Sequence, residues 1–295
     1  MKPIKVKLEF KRSFHVYNSG RLRRLLHGNI RLVYSKILEY LSWKTQRTFT
    51  RRIQLAWGDK INVVYPDPAA LDISRFGFYE EGLTQIILDN LKPGMTFLDI
   101  GAHIGYYTLM AAWLVGERGS VHSFEPTPET FKILESNAGD KLNVCLNSIA
   151  LSHESGTIQL NDYGPQLMGR NSKFQVELNF NKNQNIEPIQ HQVTATTVDQ
   201  YVALNQLCPD FIKIDAEHSE YDIIRGMRCT LAKYRPSVSI EVGDMGVPGV
   251  PPCRELVELM TAQGYQAYQF DNNRIVEHSI QDLYQYDNIL FKPKF

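Results

Sequence analysis

The 295-residue sequence has only four cysteines, and no two of them have the C-x-x-C spacing of zinc or redox motifs. We therefore expect buried free thiols and no disulfide framework. No apolar run approaches the roughly 20 residues that span a bilayer. The first residues, MKPIKVKLEFKR, lack the apolar core of a secretory signal. These absences favour a soluble, cytoplasmic protein.

Net charge is also absent, because 32 Lys and Arg balance 32 Asp and Glu. The charges are unevenly distributed: residues 1–60 contain 15 basic and 3 acidic residues, and the rest of the chain contains 17 and 29. We predict a basic N-terminal extension over residues 1–70 and a main domain over residues 71–295. A basic surface attracts polyanions, anionic lipids or phosphorylated substrates, and it pairs equally well with an acidic domain. No nucleic-acid-binding motif is evident, so nucleic acid is a disfavoured partner.

Two elements are predicted within the extension. Apolar residues recur at helical spacing from Ile30 to Leu41, which indicates a helix of about four turns. Its apolar face would pack on the main domain or on a partner chain, or would lie on a membrane surface. Peripheral membrane contact through residues 1–45 and homo-oligomer contact therefore both stay open. Weak alternation over residues 52–65, with Gly58 and Asp59, predicts a β-hairpin.

The main domain shows a regular alternation of short apolar and amphipathic segments. A helix is predicted over residues 80–90, and later helices over 106–115, 128–137, 198–205, 221–231 and 254–263. The intervening apolar runs predict strands at 96–100, 120–124, 143–146, 211–214 and 238–242. This alternation is typical of a parallel sheet covered on both faces. Two further strands, at 265–270 and 288–291, would close the sheet with an antiparallel member.

Residues 161–192 interrupt the alternation. Asn and Gln occupy 11 of these 32 positions, and the segment has little apolar content. Loops near the carboxyl ends of strands often carry substrate specificity. This polar insertion is therefore either a lid beside the site or a surface insertion without a role there.

The chain lacks the G-x-G-x-x-G pattern of dinucleotide sites after its first parallel strand. The corresponding segment, FLDIGAHIGYYT, instead has Asp99 at the end of the strand, followed by Gly101 and Gly105. A carboxylate there would repel a pyrophosphate, but it suits a cofactor with a cationic end and no phosphate, such as S-adenosylmethionine. Glu125 ends the next strand, where an acidic residue is suited to binding ribose hydroxyls. The pair predicts an adenosine-containing cofactor.

A third carboxylate, Asp215, ends the fourth predicted strand. The carboxyl ends of parallel strands meet at one edge of a sheet, so Asp99, Glu125 and Asp215 should lie close together. We expect Asp99 and Gly101 to face the methionine portion, and Glu125 to accept hydrogen bonds from both ribose hydroxyls. The segment Ser148–Ala150 would flank the adenine. Asp215 would lie near the methionine amino group or the reacting centre.

Five segments together resemble the FkbM family of S-adenosylmethionine-dependent methyltransferases: FLDIGAHIGYYT, SFEP, NSIALS, FIKIDAEHSEYDIIRGM and SIEV. The resemblance covers residues 79–244 and continues more weakly to the C-terminus. It implies a Rossmann-like α/β fold of the class I methyltransferases, with a seven-stranded, mostly parallel sheet whose last strand is antiparallel. It also implies methyl transfer to a hydroxyl oxygen of a sugar, glycolipid or natural product.

The resemblance also implies roles for individual residues. Asp99, Gly101 and Gly105 would hold the methionine end of the cofactor, and the pair Glu125 and Pro126 the ribose. Asp215 is the acidic residue of the fourth motif, and Tyr79 and Glu80 match an upstream pair that helps to close the site. Two positions depart from the family pattern, since His103 replaces an asparagine and His218 replaces a glycine. His103 can still hydrogen-bond the cofactor's carboxylate, and His218 adds a side chain beside the acceptor.

Methyl transfer to an alcohol requires a base that removes the hydroxyl proton. His218 is a candidate because imidazole titrates near neutral pH, and Asp215 and Glu217 compete for the role. Asp215 and Glu217 have no evident third partner for a divalent cation, so no metal is predicted. An RNA ribose methyltransferase and a non-catalytic interaction module on the same fold stay as alternatives.

Overall fold

The computed structural model describes residues 3–17, 30–164, 167–174, 187–271 and 274–294. Residues 18–29 of the predicted basic extension and 175–186 of the predicted polar insertion lie outside the described residues. The N-terminal part contains three helices and one hairpin: α1 (Pro3–Tyr17), α2 (Ile30–Thr45), β1 (Phe49–Gln54), β2 (Lys60–Tyr65) and α3 (Pro68–Phe76).

The first half of the main domain alternates helices and strands: α4 (Glu81–Asn90), β3 (Thr96–Ile100), α5 (Tyr106–Val115), β4 (Ser120–Phe124), α6 (Pro128–Ala138) and β5 (Val144–Asn147). Three strands follow that lie outside the central sheet: β6 (Ala150–Leu151), β7 (Gly156–Asp162) and β8 (Ile189–Thr196). The second half contains α7 (Val198–Leu204), β9 (Phe211–Ile214), α8 (Glu220–Arg225), α9 (Arg228–Tyr234), β10 (Ser237–Val242), α10 (Cys253–Ala262), β11 (Tyr265–Asp271), β12 (Arg274–Glu277) and β13 (Asp287–Pro293).

The central sheet has eight strands in the order β12-β11-β13-β10-β9-β3-β4-β5. Strands β5, β4, β3, β9 and β10 are parallel to one another. Strand β13, the last in the chain, is antiparallel to both of its neighbours, as predicted. Strand β12 pairs only with β11 and adds an eighth strand to the seven expected. The sheet is thus the mostly parallel, Rossmann-like sheet that the sequence indicates.

The parallel strands are buried on both faces, which explains why they are continuous apolar runs. Every residue of β9 is buried, and so are the last four residues of β3 and of β4. Two hydrophobic clusters cover the two faces of the sheet. The carboxyl ends of these strands meet at one edge, where loops instead of helices cover the sheet.

The hairpin of β1 and β2 belongs to the same hydrophobic core as the main domain. Ile61, Val63 and Tyr65 of β2 are buried. The Asn137 side chain of α6 accepts a hydrogen bond from the Asn62 amide at 2.7 Å and donates to the Asn62 carbonyl at 3.0 Å. The same side chain donates to the Ile104 carbonyl at 2.8 Å. Asn137 therefore links the N-terminal hairpin to the turn that follows β3.

The predicted helix of the extension is present as α2. Its Leu38 packs against the core of the main domain. Ser35 and Ser42 are fully buried against Tyr65, whereas Val33 and Ile37 are about half exposed, at 56% and 49%. Only part of the apolar residues of α2 therefore packs on the rest of the chain. None of the described helices has the length and apolar content that a membrane crossing requires.

Two expectations are corrected, and one small sheet is additional to those expected. The predicted helix 221–231 is two helices, α8 and α9, because Gly226 lies against Ser152; a Cβ at Gly226 would be 2.1 Å from the Ser152 carbonyl oxygen. The small sheet of order β6-β8-β7 was not predicted. The four cysteines are free thiols, but only Cys253 is even partly buried, since Cys145, Cys208 and Cys229 are exposed.

Candidate active site

A cavity of about 840 Å³ lies at the carboxyl ends of the parallel strands. Its wall is formed by the loops that follow β3, β4, β9 and β10, together with parts of the loop between β7 and β8. Ligands of open α/β sheets bind at this edge. The cavity is therefore the candidate active site.

The turn after β3 packs against a network of buried polar side chains. Asp99 is fully buried and accepts a hydrogen bond from the Thr108 hydroxyl at 2.7 Å. Gly101 has φ +73°, and a Cβ there would lie 1.7 Å from the carbonyl oxygen of Asp215. Only glycine tolerates both the backbone conformation and this close approach. The turn after β3 thus rests directly on the end of β9.

Lys213 of β9 links Asp99, the turn after β3 and Asp215. Its ammonium donates to the Gly101 carbonyl at 2.7 Å and lies 3.3 Å from Asp99 and 3.2 Å from Asp215. Burial lowers the pKa of Lys213, but Asp215, Asp99 and Glu80 outweigh burial and raise the pKa above its ordinary value. The sequence analysis assigns no role to Lys213. A charged residue within the otherwise apolar strand Phe211–Ile214 is the feature that could have indicated one.

Glu125 follows β4, and backbone amides orient its carboxylate. One oxygen accepts from the amide of His103 at 3.1 Å, and the other from the amide of Thr127 at 2.9 Å. Burial raises the pKa of Glu125, and these hydrogen bonds oppose the rise. The Thr127 side chain also hydrogen-bonds Glu125. Because a carboxylate offers about four acceptor positions, the group keeps acceptor capacity for a ligand.

His103 is held by the N-terminal part of the chain. Its backbone has φ +50°, and its Nε2 lies 3.5 Å from a carboxylate oxygen of Asp67. Asp67 is almost completely buried and accepts a hydrogen bond from the Ala70 amide at the start of α3. Both His103 and Asp67 line the cavity. The N-terminal extension therefore contributes a carboxylate to the site.

The loop after β9 carries the candidate bases. Glu217 and His218 have consecutive positive φ angles of +46° and +76°. The Ser172 hydroxyl donates to the Glu217 carbonyl at 2.5 Å. This bond links the loop after β9 to the described part of the polar insertion. Among the described residues, the buried Nε2 of His218 has no hydrogen-bond partner. Burial and the nearby Arg170 lower the pKa of His218, so the ring is neutral near pH 7.

Carboxylates dominate the rest of the wall. Burial, reinforced by Asp215, raises the pKa of Glu80 to about 7, even though Tyr107 and Tyr286 donate hydrogen bonds to it. Burial raises the pKa of Glu220 to about 7 as well. The pKa values of Glu217 and Glu241 lie well above the ordinary value, because both groups are buried and near Asp215. This concentration of acidic groups favours a cationic ligand.

Most of the residues predicted from sequence line the cavity: Glu80, Gly101, His103, Glu125, Pro126, Ala150, Asp215, Glu217 and His218. Three do not. Asp99 lies beneath Lys213, without access to solvent. Gly105 begins α5 against Leu134, which a Cβ would approach to 2.7 Å. Ser148 is exposed at the surface, and its neighbour Ile149 faces the cavity in its place.

Glu241 was not predicted to line the site. It lies within β10, and an acidic residue inside a mostly buried strand was the feature that could have indicated it. The described portion of the polar insertion also lines the cavity, and Met168–Arg170 forms a 3₁₀ turn there. Asn171 donates to the Thr127 hydroxyl at 3.4 Å, next to Glu125. This portion of the insertion thus occupies the position that the lid interpretation requires.

The donor set fits an adenosyl cofactor with a cationic end. The Glu125 carboxylate is pre-oriented and keeps free acceptor capacity, which suits vicinal hydroxyls. Gly101 and Ala102 line the cavity at the turn after β3. Ile149 and Ala150 supply an apolar surface for a planar base, and the Asp215 carboxylate lies at the acidic end.

Residues 99–267 match the family described as the methyltransferase FkbM domain, over more than half of the chain. The chain belongs to this family. Its cofactor is S-adenosyl-L-methionine, and the class I methyltransferase fold is that of the central sheet described above. The family match begins at Asp99, so it includes the turn after β3, Glu125 and the loop after β9.

Individual relatives share only part of their length with this FkbM family member. A protein-L-isoaspartate O-methyltransferase of Methanococcoides burtonii is 31% identical over 85 residues, which are 28% of this chain and 40% of that protein. The solved structure of an FkbM methyltransferase from Methylobacillus flagellatus is 14% identical, with a TM-score of 0.42, over 68% of this chain and 43% of that one. Aeropyrum pernix fibrillarin with bound S-adenosyl-L-methionine is 12% identical, with a TM-score of 0.41, over 71% and 73% of the two chains.

Proposed function

We propose that this protein transfers a methyl group from S-adenosyl-L-methionine to a hydroxyl oxygen of a sugar, glycolipid or natural product. The observation that carries the proposal is His218. Its Nε2 is buried at the cavity wall without a described partner, and its pKa is lowered. An alcohol acceptor must lose its proton during transfer and therefore requires a base such as an unprotonated imidazole. An acceptor that is already ionised requires no base.

In this proposal the chain's own residues fix the reactants. Glu125 accepts hydrogen bonds from the ribose hydroxyls, with Pro126 beside it, and Ile149 and Ala150 flank the adenine. The Gly101 backbone and Asp215 hold the methionine end. When bound, the cofactor supplies an electrophilic methyl group on a sulfonium and a neutral thioether as leaving group. The protein's contribution is alignment of the acceptor oxygen and removal of its proton.

His218 takes that proton on Nε2 as the oxygen attacks. Glu217 and Asp215 are less suited to the task. The pKa of Glu217 lies well above its ordinary value, and Asp215 already pairs with Lys213 at 3.2 Å.

The acidic wall also supports a neutral acceptor. Glu80, Glu217 and Glu241 lie in this wall, and their carboxyl groups can exchange hydrogen bonds with hydroxyl groups. A polyhydroxylated molecule fits these groups best.

The proposal is tested with the full chain, labelled methyl donor and a panel of glycosides, glycolipids and secondary-metabolite alcohols. We expect label in a product that resists mild alkali, because methyl ethers are stable and methyl esters hydrolyse. Replacing His218 by Gln should lower turnover by about 10²-fold or more and leave the affinity for S-adenosylhomocysteine nearly unchanged. His153→Gln, outside the cavity, is the matched control.

Two results would contradict the proposal. Alkali-labile label alone would show transfer to a carboxyl group. Full turnover in His218→Gln would exclude the imidazole as the base, and Asp215 and Glu217 would then be the remaining candidates.

A further inference from the structure

Helix α2 exposes its apolar side. Five large apolar or aromatic side chains lie on one half of its circumference and are 39% to 62% exposed: Val33, Tyr34, Ile37, Tyr40 and Trp43. We call them, together with Lys36 and Lys44 of the same half, the outer face of α2. A helix that packs by its apolar stripe buries such residues. The outer face of α2 is thus an apolar surface on an element that is already docked.

The docking of α2 uses Leu38 and the polar side of the helix, and it fixes the helix in this orientation. Ser35 lies 3.3 Å from the Tyr65 hydroxyl, and Ser42 donates to the Tyr65 carbonyl at 2.9 Å. Glu39 pairs with Arg75 of α3 at 2.9 Å. Rotating the helix to bury Ile37 would break all of these contacts. The outward direction of the apolar residues is therefore a stable property of the fold.

Cations surround the outer face. Lys36 and Lys44 lie on it, Arg51 of β1 borders it, and Arg47 and Arg52 are close to Arg51 in the chain; among the described residues none of the five forms an ion pair. The Arg51 guanidinium lies 4.6 Å from the centre of the Tyr34 ring, so the hairpin and the helix form one continuous surface. The acidic residue of α2, Glu39, is turned inward to Arg75.

This combination selects one class of partner. Two copies of the chain meeting through the outer face would bring two sets of five unpaired cations together, which disfavours a symmetric dimer. A nucleic acid would neutralise the cations but would leave Val33 and Ile37 without an apolar partner. An anionic bilayer supplies both: headgroups for Lys and Arg, and an acyl boundary for aliphatic and aromatic side chains.

We propose that the outer face of α2 and the arginines of the β1–β2 hairpin dock this protein on the surface of a membrane that contains anionic lipids. Val33 and Ile37 enter the acyl boundary, Tyr34, Tyr40 and Trp43 lie at headgroup level, and the cations contact lipid phosphates. This inference is independent of the acceptor proposed above.

Trp43 provides a direct measurement. It is 39% exposed, whereas Trp57 is buried and Trp113 is partly buried within the protein. Vesicles of phosphatidylcholine with phosphatidylglycerol should shift the tryptophan emission of the full chain to the blue, and brominated lipids should quench it. Vesicles of phosphatidylcholine alone, or high salt, should weaken binding strongly. Trp43→Phe should lose the optical signal and still sediment with the anionic vesicles.

Variants separate the two parts of the surface. Ile37→Asp and the double change R51Q/R52Q should each reduce co-sedimentation with anionic vesicles about tenfold or more. Leu204→Asp, at a residue that is 83% exposed on α7, is the control for the apolar change. K132Q/R254Q, at exposed cations of the main domain, is the control for the charge change. Circular dichroism and S-adenosylhomocysteine binding verify that each variant is folded.

Three results would overturn the proposal. The first is no co-sedimentation of the wild type with anionic vesicles. The second is undiminished binding of both Ile37→Asp and R51Q/R52Q. The third is concentration-dependent self-association, or RNA binding, that Ile37→Asp abolishes while vesicle binding is absent. The methyl-transfer assay with soluble acceptors is unaffected by any of these results, so the two proposals fail separately.

Discussion

Glu125 is the residue whose role is best defined by its surroundings, because two backbone amides orient its carboxylate. The amides belong to the turn after β3 and to the start of α6, so the carboxylate also joins two loops of the site. Hydrogen bonds to a charged group contribute about 1.5–3 kcal/mol each. We therefore expect both cofactor binding and the positions of these two loops to depend on the Glu125 side chain.

Replacing Glu125 by Ala should reduce the affinity for S-adenosylhomocysteine at least about tenfold, because the ribose hydroxyls lose their acceptor. Titration calorimetry measures this change. Glu129→Ala, at an exposed residue in the first turn of α6, is the matched control and should bind normally. Normal binding by the Glu125 variant would remove the ribose assignment.

Single residues also show where sequence reasoning was incomplete. Asp99, Glu125 and Asp215 were recognised because each ends a strand, and the parallel sheet does place these ends together. Lys213 and Glu241 lie inside strands, where a charge is expected only if a partner compensates it. The sequence does not show the partners: Lys213 is compensated by Asp99 and Asp215, and Asp99 is 114 residues away.

Among the elements, the buried strands were the most predictable. The runs at 96–100, 120–124 and 211–214 match β3, β4 and β9 to the residue, because strands buried on both faces are apolar runs that end at turns. The small sheet was missed because β6 has only two residues and β7 and β8 pair across a long polar connection. The break between α8 and α9 depends on Ser152, a contact that local periodicity does not reveal.

The turn between β3 and α5 gives a prediction at this scale. Gly101→Ala should destabilise the protein by about 2 kcal/mol or more, because its Cβ would be 1.7 Å from the Asp215 carbonyl oxygen. Cofactor affinity should fall as well, since the turn must move. Gly77→Ala is the matched control, because Gly77 has φ +75° and open space around its Cβ position. It should cost about 1 kcal/mol and leave cofactor affinity unchanged.

Thermal unfolding and titration with S-adenosylhomocysteine compare the two variants. The explanation would be contradicted if Gly101→Ala and Gly77→Ala lost the same stability and both bound S-adenosylhomocysteine normally. The loss would then come from the positive φ angle alone and not from the contact between the turn and the end of β9.

At the scale of the whole molecule, the acidic cavity links folding to pH. Glu220 has a pKa of about 7 in the folded protein, against an ordinary value of 4.5. Between these values the folded state binds more protons than the unfolded state, so the free energy of unfolding falls as pH rises from about 4.5 to about 7. For Glu220 alone the loss amounts to as much as about 3 kcal/mol.

Glu220→Gln should therefore match the wild type in stability near about pH 5 and exceed it by up to about 3 kcal/mol near about pH 8. Chemical denaturation at both pH values measures the difference, and Gln retains an acceptor for the Ala216 amide. Glu258→Gln, at an exposed residue of α10, is the control and should show no such pH dependence. A stability difference that is the same at both pH values would contradict this explanation.

The contacts of Asn137 and Asp67 have a practical consequence for experiments with shortened forms of this protein. A protein shortened to start after α3 would lose Asp67 from the wall of the cavity and leave Ile104 without its link to the hairpin. It would also uncover core residues that now pack against Ile61 and Val63. The smallest unit with an intact site should therefore include the hairpin, and a truncation assay would confuse loss of the proposed membrane attachment with loss of the site itself.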